Sequence, residues 1–240
     1  GKIFLLDSLG RRLGQDPKTG ETFTEIPNGS FYIQSPITDD TLENPPAPPQ
    51  GSGNFYVGIL DPGAGDYQVE VSGDDSNAIF LGYDQNADVS TETFAVSGTA
   101  QFELNYSPES GSQIEVTQIV DVDIKPGNDK NVIELEEDDE DDEEQIKVAI
   151  LTTPGFNAST VDVASVRFGP GQAQEIHDTG KKNFNKQHFK DIDKDGDKDL
   201  VLHFKVKNTG LKIGDTQACI TGQTQEGVQL EGCDKVKLKK

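Results

Sequence analysis

Ten residues, Asp191-Ile192-Asp193-Lys194-Asp195-Gly196-Asp197-Lys198-Asp199-Leu200, constrain this chain more tightly than any other stretch. Carboxylates stand at loop positions 1, 3, 5 and 9, with Gly at position 6. Alternate Asp side chains can converge on one hard cation, and Gly196 permits the sharp turn that wraps it. A helix-flanked loop of this kind needs a bidentate Glu at position 12, but that residue is Leu202. The residues after the loop have a strand period instead: Leu200, Leu202, Phe204 and Val206 on one side, Val201, His203, Lys205 and Lys207 on the other. The residues therefore predict a calcium loop feeding a strand. Its ligands are expected from Asp191, Asp193, Asp195, Asp197 (through its backbone carbonyl) and Asp199, which replaces the missing Glu. The alternative is a solvated acidic turn.

Low hydrophobic content and 25 glycines suit many short strands and turns rather than helices. No window shows a helix with an apolar stripe. Strands are expected at 2–6, 54–60, 66–71, 78–83, 92–96 and 101–106, each ended by Gly, Pro, Asn or Asp. The Pro-rich stretch 36–53 reads as an extended loop. Ser107-Pro108-Glu109-Ser110-Gly111-Ser112 is small and polar and serves as the expected linker. Beyond it, Ile114, Val116, Val120, Val122 and Ile124 alternate, interrupted at Gln118. The block Glu134–Glu144 holds ten acids in eleven residues and reads as a mobile, solvated loop. Phe156–Asp162 is expected to form one irregular or helical turn. The whole pattern predicts an all-β protein of two tandem β-sandwich (Ig-like) domains, residues 1–112 and 113–240.

The two cysteines bracket a hairpin. Gln225-Glu226-Gly227 is a three-residue loop, and symmetric pairing about Glu226 places Thr224 opposite Val228 and Cys219 opposite Cys233. Facing cysteines on neighbouring strands come close enough to oxidise. A disulfide implies an oxidising, extracellular or cell-surface location; two buried free thiols are the alternative.

A net charge of −22 argues against nucleic acid or an anionic membrane as partner. No apolar run is long enough to span a bilayer, so no membrane insertion is expected. No Met occurs, even at position 1, so a processed or excised piece is expected.

Several segments carry a resemblance. The acidic loop resembles the D-x-D-x-D-G-x-x-D-L loops of integrin-type FG-GAP repeats. Val122-Asp123-Ile124-Lys125-Pro126-Gly127, Val148–Thr153, Phe156–Asp162, Val166-Arg167-Phe168-Gly169-Pro170 and Asp199–Phe204 succeed one another in order. Together they resemble a β-rich module of secreted multidomain proteins of cyanobacteria and other environmental bacteria, over residues 119–240. Gly10-Arg11-Arg12, Asp16-Pro17, Thr19-Gly20 and Glu25-Ile26-Pro27 are similar to a β-sandwich module of the same class of proteins. The resemblance implies extracellular placement and calcium at the acidic loop, and implies no defined catalytic activity.

The expected function is a calcium-stabilised structural or adhesive module of a bacterial surface or secreted protein. Its expected partners are other copies or neighbouring domains of a surface assembly, in a filament or layer, or surface glycans. A calcium-dependent carbohydrate-binding accessory module is the alternative, weakened by the absence of Trp. An enzyme is not expected: H-E-x-x-H, G-x-S-x-G and a phosphate-cradling Gly loop are all missing. His177, His188 and His203 could gather into a zinc site, but scattered histidines more often serve as surface or packing residues.

Overall fold

The structure is a computed structural model that describes residues 1–34, 54–60, 62–128, 130–135, 144–177 and 184–239. The Pro-rich stretch 36–53 and residues 136–143 of the acidic block lie outside these. The regular secondary structure of the described residues is nearly all β-strand. Among them no helix is long and apolar enough to cross a membrane. The chain divides into two compact units, Gly1–Val116 and Thr117–Lys240. The division falls four residues past the expected end at 112. Ile114 explains the difference: it lies against Gly82 and donates its N–H to Ser90 Oγ at 2.9 Å, so it belongs to the first unit.

The first unit holds β1 (Lys2–Asp7), β2 (Arg12–Gln15), β3 (Thr22–Thr24), β4 (Gly29–Gln34), β5 (Asn54–Ile59), β6 (Gly65–Tyr83) and β7 (Val89–Tyr106). Five form an antiparallel run ordered β7-β6-β1-β2-β3, and β4 pairs with β5. The chain crosses closely at Gly14, whose φ is +104° and where a Cβ would stand 2.3 Å from the Ile3 carbonyl oxygen. Phe80, Phe94 and Phe102 meet with ring centroids 4.9–5.5 Å apart and anchor the core of this unit.

Sequence patterning predicted four short strands where β6 and β7 run as two long ones. Ser72-Gly73-Asp74-Asp75 reads as a turn, but the structure absorbs it as a register shift between Gly73 and Ser76. Gly98, at φ +88°, faces Gly73 across the ladder. With a glycine on each side of one rung, both strands bend together and pairing resumes.

Asp84 organises the β6–β7 turn. It is 7 % exposed; its Oδ1 accepts the N–H groups of Asn86 (2.8 Å) and Asp88 (3.0 Å), and Oδ2 accepts that of Gly111 (2.7 Å). The Gly111 donor first, with Asp88 and Asn86, holds this carboxyl below the usual carboxylate range against the opposing effect of lost solvation. A depressed folded-state pKa stabilises above the unfolded value and loses that contribution as pH falls through the folded one. Wild type should therefore lose stability relative to Asp84→Asn as the pH drops below about 4. Denaturant midpoints of the two proteins between neutral and acid pH check this; a constant difference would refute it.

The second unit holds β8 (Glu115–Ile119, which carries the division), β9 (Val122–Ile124), β10 (Val132–Glu134), β11 (Gln145–Ile150), β12 (Arg167–Phe168), α1 (Phe184–His188), β13 (Phe189–Lys190), β14 (Asp199–Lys205), β15 (Gln217–Gln223), β16 (Gln229–Lys235) and β17 (Lys237–Lys239). One sheet is ordered β13-β14-β11-β9, a second run is ordered β12-β15-β16-β8, and β10 pairs in parallel with β17. A single turn at Ala158–Thr160, capped by the Asn157 side chain, sits where the irregular segment was expected. The stretch 172–190, which shows only polarity in sequence, holds α1 and β13.

The core of this unit draws on both sheets. Ile146, Val148, Ile150, Leu200, Leu202 and Phe204 come from the first, and Phe168, Ile220 and Leu230 from the second. Phe168 and Phe204 touch across them at 5.1 Å between centroids. Gln118, the residue that breaks the apolar alternation, is buried and donates through Nε2 to the Gly155 carbonyl at 3.0 Å.

The hairpin of β15 and β16 has the expected register, with Cys219 opposite Cys233 in a disulfide and Cα atoms 4.0 Å apart. The Thr224 N–H donates to Val228 O at 2.8 Å, and Gly227 takes φ +89°, the left-handed residue of the loop.

Candidate functional site

The acidic loop 191–198 joins two paired strands. Phe189 faces Leu200 and Lys190 faces Asp199, so β13, the loop and β14 make one antiparallel hairpin. Gly196 adopts φ +107° and Lys194 φ +69°, which curl the chain back on itself. Two of the aspartates then accept a backbone N–H from two residues on. The Asp195 N–H donates to Asp193 Oδ1 at 3.2 Å, and the Asp197 N–H to Asp195 Oδ1 at 3.0 Å.

Within this curl, carboxylate oxygens of Asp191, Asp193 and Asp195 lie within 4.8 Å of one another. A calcium ion with bonds of about 2.4 Å spans about that distance between opposite ligands. Asp197 stands beside them with a buried Oδ1 that has no hydrogen-bond partner among the described residues. Asp193 sits above the ordinary carboxylate range: the Asp195 amide pulls it down, but lost solvation and the charges of Asp195 and Asp199 outweigh that. Asp197 is raised too, first by lost solvation and then by Asp195 and Asp199. Lost solvation and like charge thus act together on these carboxyls, and a cation placed among them would relieve both.

Asp199 plays a different part from its neighbours and falls outside the group of three. It is fully buried, and both of its oxygens are engaged: Oδ1 accepts the Thr152 N–H at 2.9 Å and Oδ2 the Ile192 N–H at 2.7 Å. The Thr152 hydroxyl donates to Lys198 O at 2.8 Å and accepts from the Ala158 N–H at 3.1 Å. Asp199 thus closes the two ends of the loop on each other and fastens them to the turn after β11. A carboxylate at the head of a strand signature marks this position in sequence; its backbone donors leave no such mark.

A second polar cluster gathers around His203, a β14 residue of the same hairpin. His177, His188 and His203 come together with Glu175, one ligand atom of each lying within 4.8 Å of the others. Val201 and His203 share one face of β14. His188 ends α1, and its Nδ1 is 2.6 Å from Val201 O; a carbonyl only accepts, so Nδ1 carries the proton. His177 Nδ1 is 2.7 Å from Glu175 Oε1. Glu175 also accepts the His177 N–H through Oε1, and the His203 N–H through Oε2. Burial lowers the His203 pKa to about 4, helped by His177, His188 and Lys147 and opposed by Glu175. This ring is therefore neutral at physiological pH, and its Nδ1 is buried with no hydrogen-bond partner among the described residues. Glu175 escaped sequence reading; its only signal is the Glu-x-His spacing to His177.

Among the described residues, then, the second unit holds an all-oxygen loop and a separate nitrogen-rich cluster, both of which use β14 or the loop that leads into it. These features define a disulfide-containing, all-β chain with two candidate ion sites. No protein-family profile, curated protein or solved structure matches it.

Proposed function

We propose that the chain is a calcium-stabilised extracellular structural or adhesive module, built as two tandem Ig-like β-sandwiches, of a bacterial surface or secreted protein. The observation that carries this reading is the convergence of Asp191, Asp193 and Asp195 at the tip of a core hairpin whose base Asp199 holds shut. Calcium there is architectural. It offsets the repulsion among the aspartates and fixes the start of β14, a strand buried along most of its length. Asp199 acts through the backbone rather than on the ion. The Cys219–Cys233 disulfide supports an oxidising location. Two facing sheets around one core support the sandwich reading of the second unit. No catalytic activity forms part of this reading; the partners are other copies, neighbouring domains or surface glycans.

Extracellular calcium modules bind with dissociation constants of roughly 0.1–1 mM. At 10 mM calcium and a constant of about 0.1 mM, the ion should stabilise the second unit by about 2.7 kcal/mol. Thermal melting of the full chain in calcium and in chelator measures this. Asp193→Ala with Asp195→Ala should abolish the difference. Equal melting temperatures for wild type in both conditions would overturn the proposal.

A further inference from the structure

We propose that His177, His188 and His203 bind one divalent d-block cation of the zinc class, with Glu175 as the carboxylate that orients His177. This site is independent of the calcium reading. Calcium takes hard oxygen ligands, whereas imidazole nitrogen suits zinc, copper, nickel and iron.

Three observations converge on it. The rings come from three separate segments: the stretch after β12, the end of α1 and the middle of β14. Their centroids lie 4.7, 5.0 and 5.3 Å apart, and the rings stand edge-on to one another at 89°, 68° and 84°. The rings pack edge to face rather than stacked, and one ligand atom of each converges with the others. Donor atoms within 4.8 Å are close to the separation of about 3.4 Å that tetrahedral bonds of about 2.1 Å require.

The second observation is the support behind the rings. Ligand histidines usually donate their other N–H to a backbone carbonyl or carboxylate, which fixes the tautomer and bares the metal-facing nitrogen. His188 Nδ1 meets Val201 O, and His177 Nδ1 meets Glu175 Oε1. Both arrangements leave Nε2 as the free lone pair. Phe184 lies flat on His188 at 4.0 Å between centroids and 9° between planes, which holds that ring in place. Glu175 is itself pinned, its side chain 3 % exposed and bonded to the His203 N–H.

The third is the Nδ1 of His203, a buried nitrogen with no hydrogen-bond partner among the described residues. Burying a polar atom unsatisfied is costly, and an ion at the centre of the cluster draws the remaining ring into a bond. The ion would tie the 175–177 segment and α1 to β14.

The test uses the full chain in excess calcium, so that the aspartate loop is filled. Cobalt(II) should bind at one equivalent with the visible d–d bands of a tetrahedral, nitrogen-rich site, and zinc should displace it. His177→Ala, at a ring whose side chain is 43 % exposed, should weaken binding by about 100-fold or more, and Glu175→Gln by about 10–100-fold. Asp193→Ala should leave cobalt binding unchanged, which separates this site from the loop. Absence of the d–d bands, or wild-type affinity in His177→Ala, would overturn the assignment. Should that variant fail to fold, the ring-nitrogen chemical shifts of the wild type report the same ligands. Shifts of all three on zinc addition support the site, and unmoved shifts refute it.

Discussion

Replacing Asp199 with Ala should cost the second unit about 4 kcal/mol, because two charge-assisted hydrogen bonds vanish together and leave two amides unanswered. The donors are the Thr152 and Ile192 N–H groups, and the carboxylate that joins them is fully buried. The loss should persist in chelator, since the clamp acts through the backbone. That separates Asp199 from Asp193 and Asp195, whose replacement should matter chiefly when calcium is present. Asp199→Asn should fall between, keeping one carbonyl oxygen but turning an NH2 group toward the second amide. Hydrogen exchange gives the direct readout: the Thr152 and Ile192 amides should lose protection first. A loss of stability below about 1 kcal/mol would show that water or a shifted side chain takes over these amides.

The double substitution Cys219→Ala with Cys233→Ala should cost about 3 kcal/mol, the value expected for releasing a closed loop of about 15 residues in the unfolded chain. The two cysteines are 14 residues apart in sequence and face each other at the third of seven rungs, counted from the open end of the hairpin. Six other rungs still specify the register, so the hairpin should survive with its pairing unchanged. The effect should appear as a lower denaturant midpoint of the full chain, and nuclear Overhauser contacts across β15 and β16 should remain. A midpoint equal to that of the oxidised protein would show that the bond adds no stability.

What the sequence disclosed and what it concealed divide along one physical line. The acidic loop and the cysteine hairpin are contiguous, and each carries its geometry in residue spacing. Gly196 and Gly227 sit where a left-handed backbone is required, and alternation after Asp199 announces a strand. The long ribbon of β6 and β7 was hidden because Ser72–Asp75 has the composition of a turn, while its actual role as a bulge depends on Gly98 in the partner strand. The role of Asp199 was hidden because its donors are main-chain groups, one of them 47 residues earlier. The histidine cluster was hidden for a related reason. His177, His188 and His203 obey no metal-binding spacing, and only the packing of α1 and the 175–177 segment on β14 brings them together.

The parallel pairing of β16 with β8 has a mechanical consequence. Thr117, Gln118 and Ile119 run alongside Gln229, Leu230 and Glu231 in the same direction, and the Val120 N–H extends the seam to Glu231 O at 2.8 Å. Tension that draws β8 toward its own beginning and β16 toward its own end pulls along this seam rather than across it. The bonds are then sheared as a group, not opened one after another like a zip.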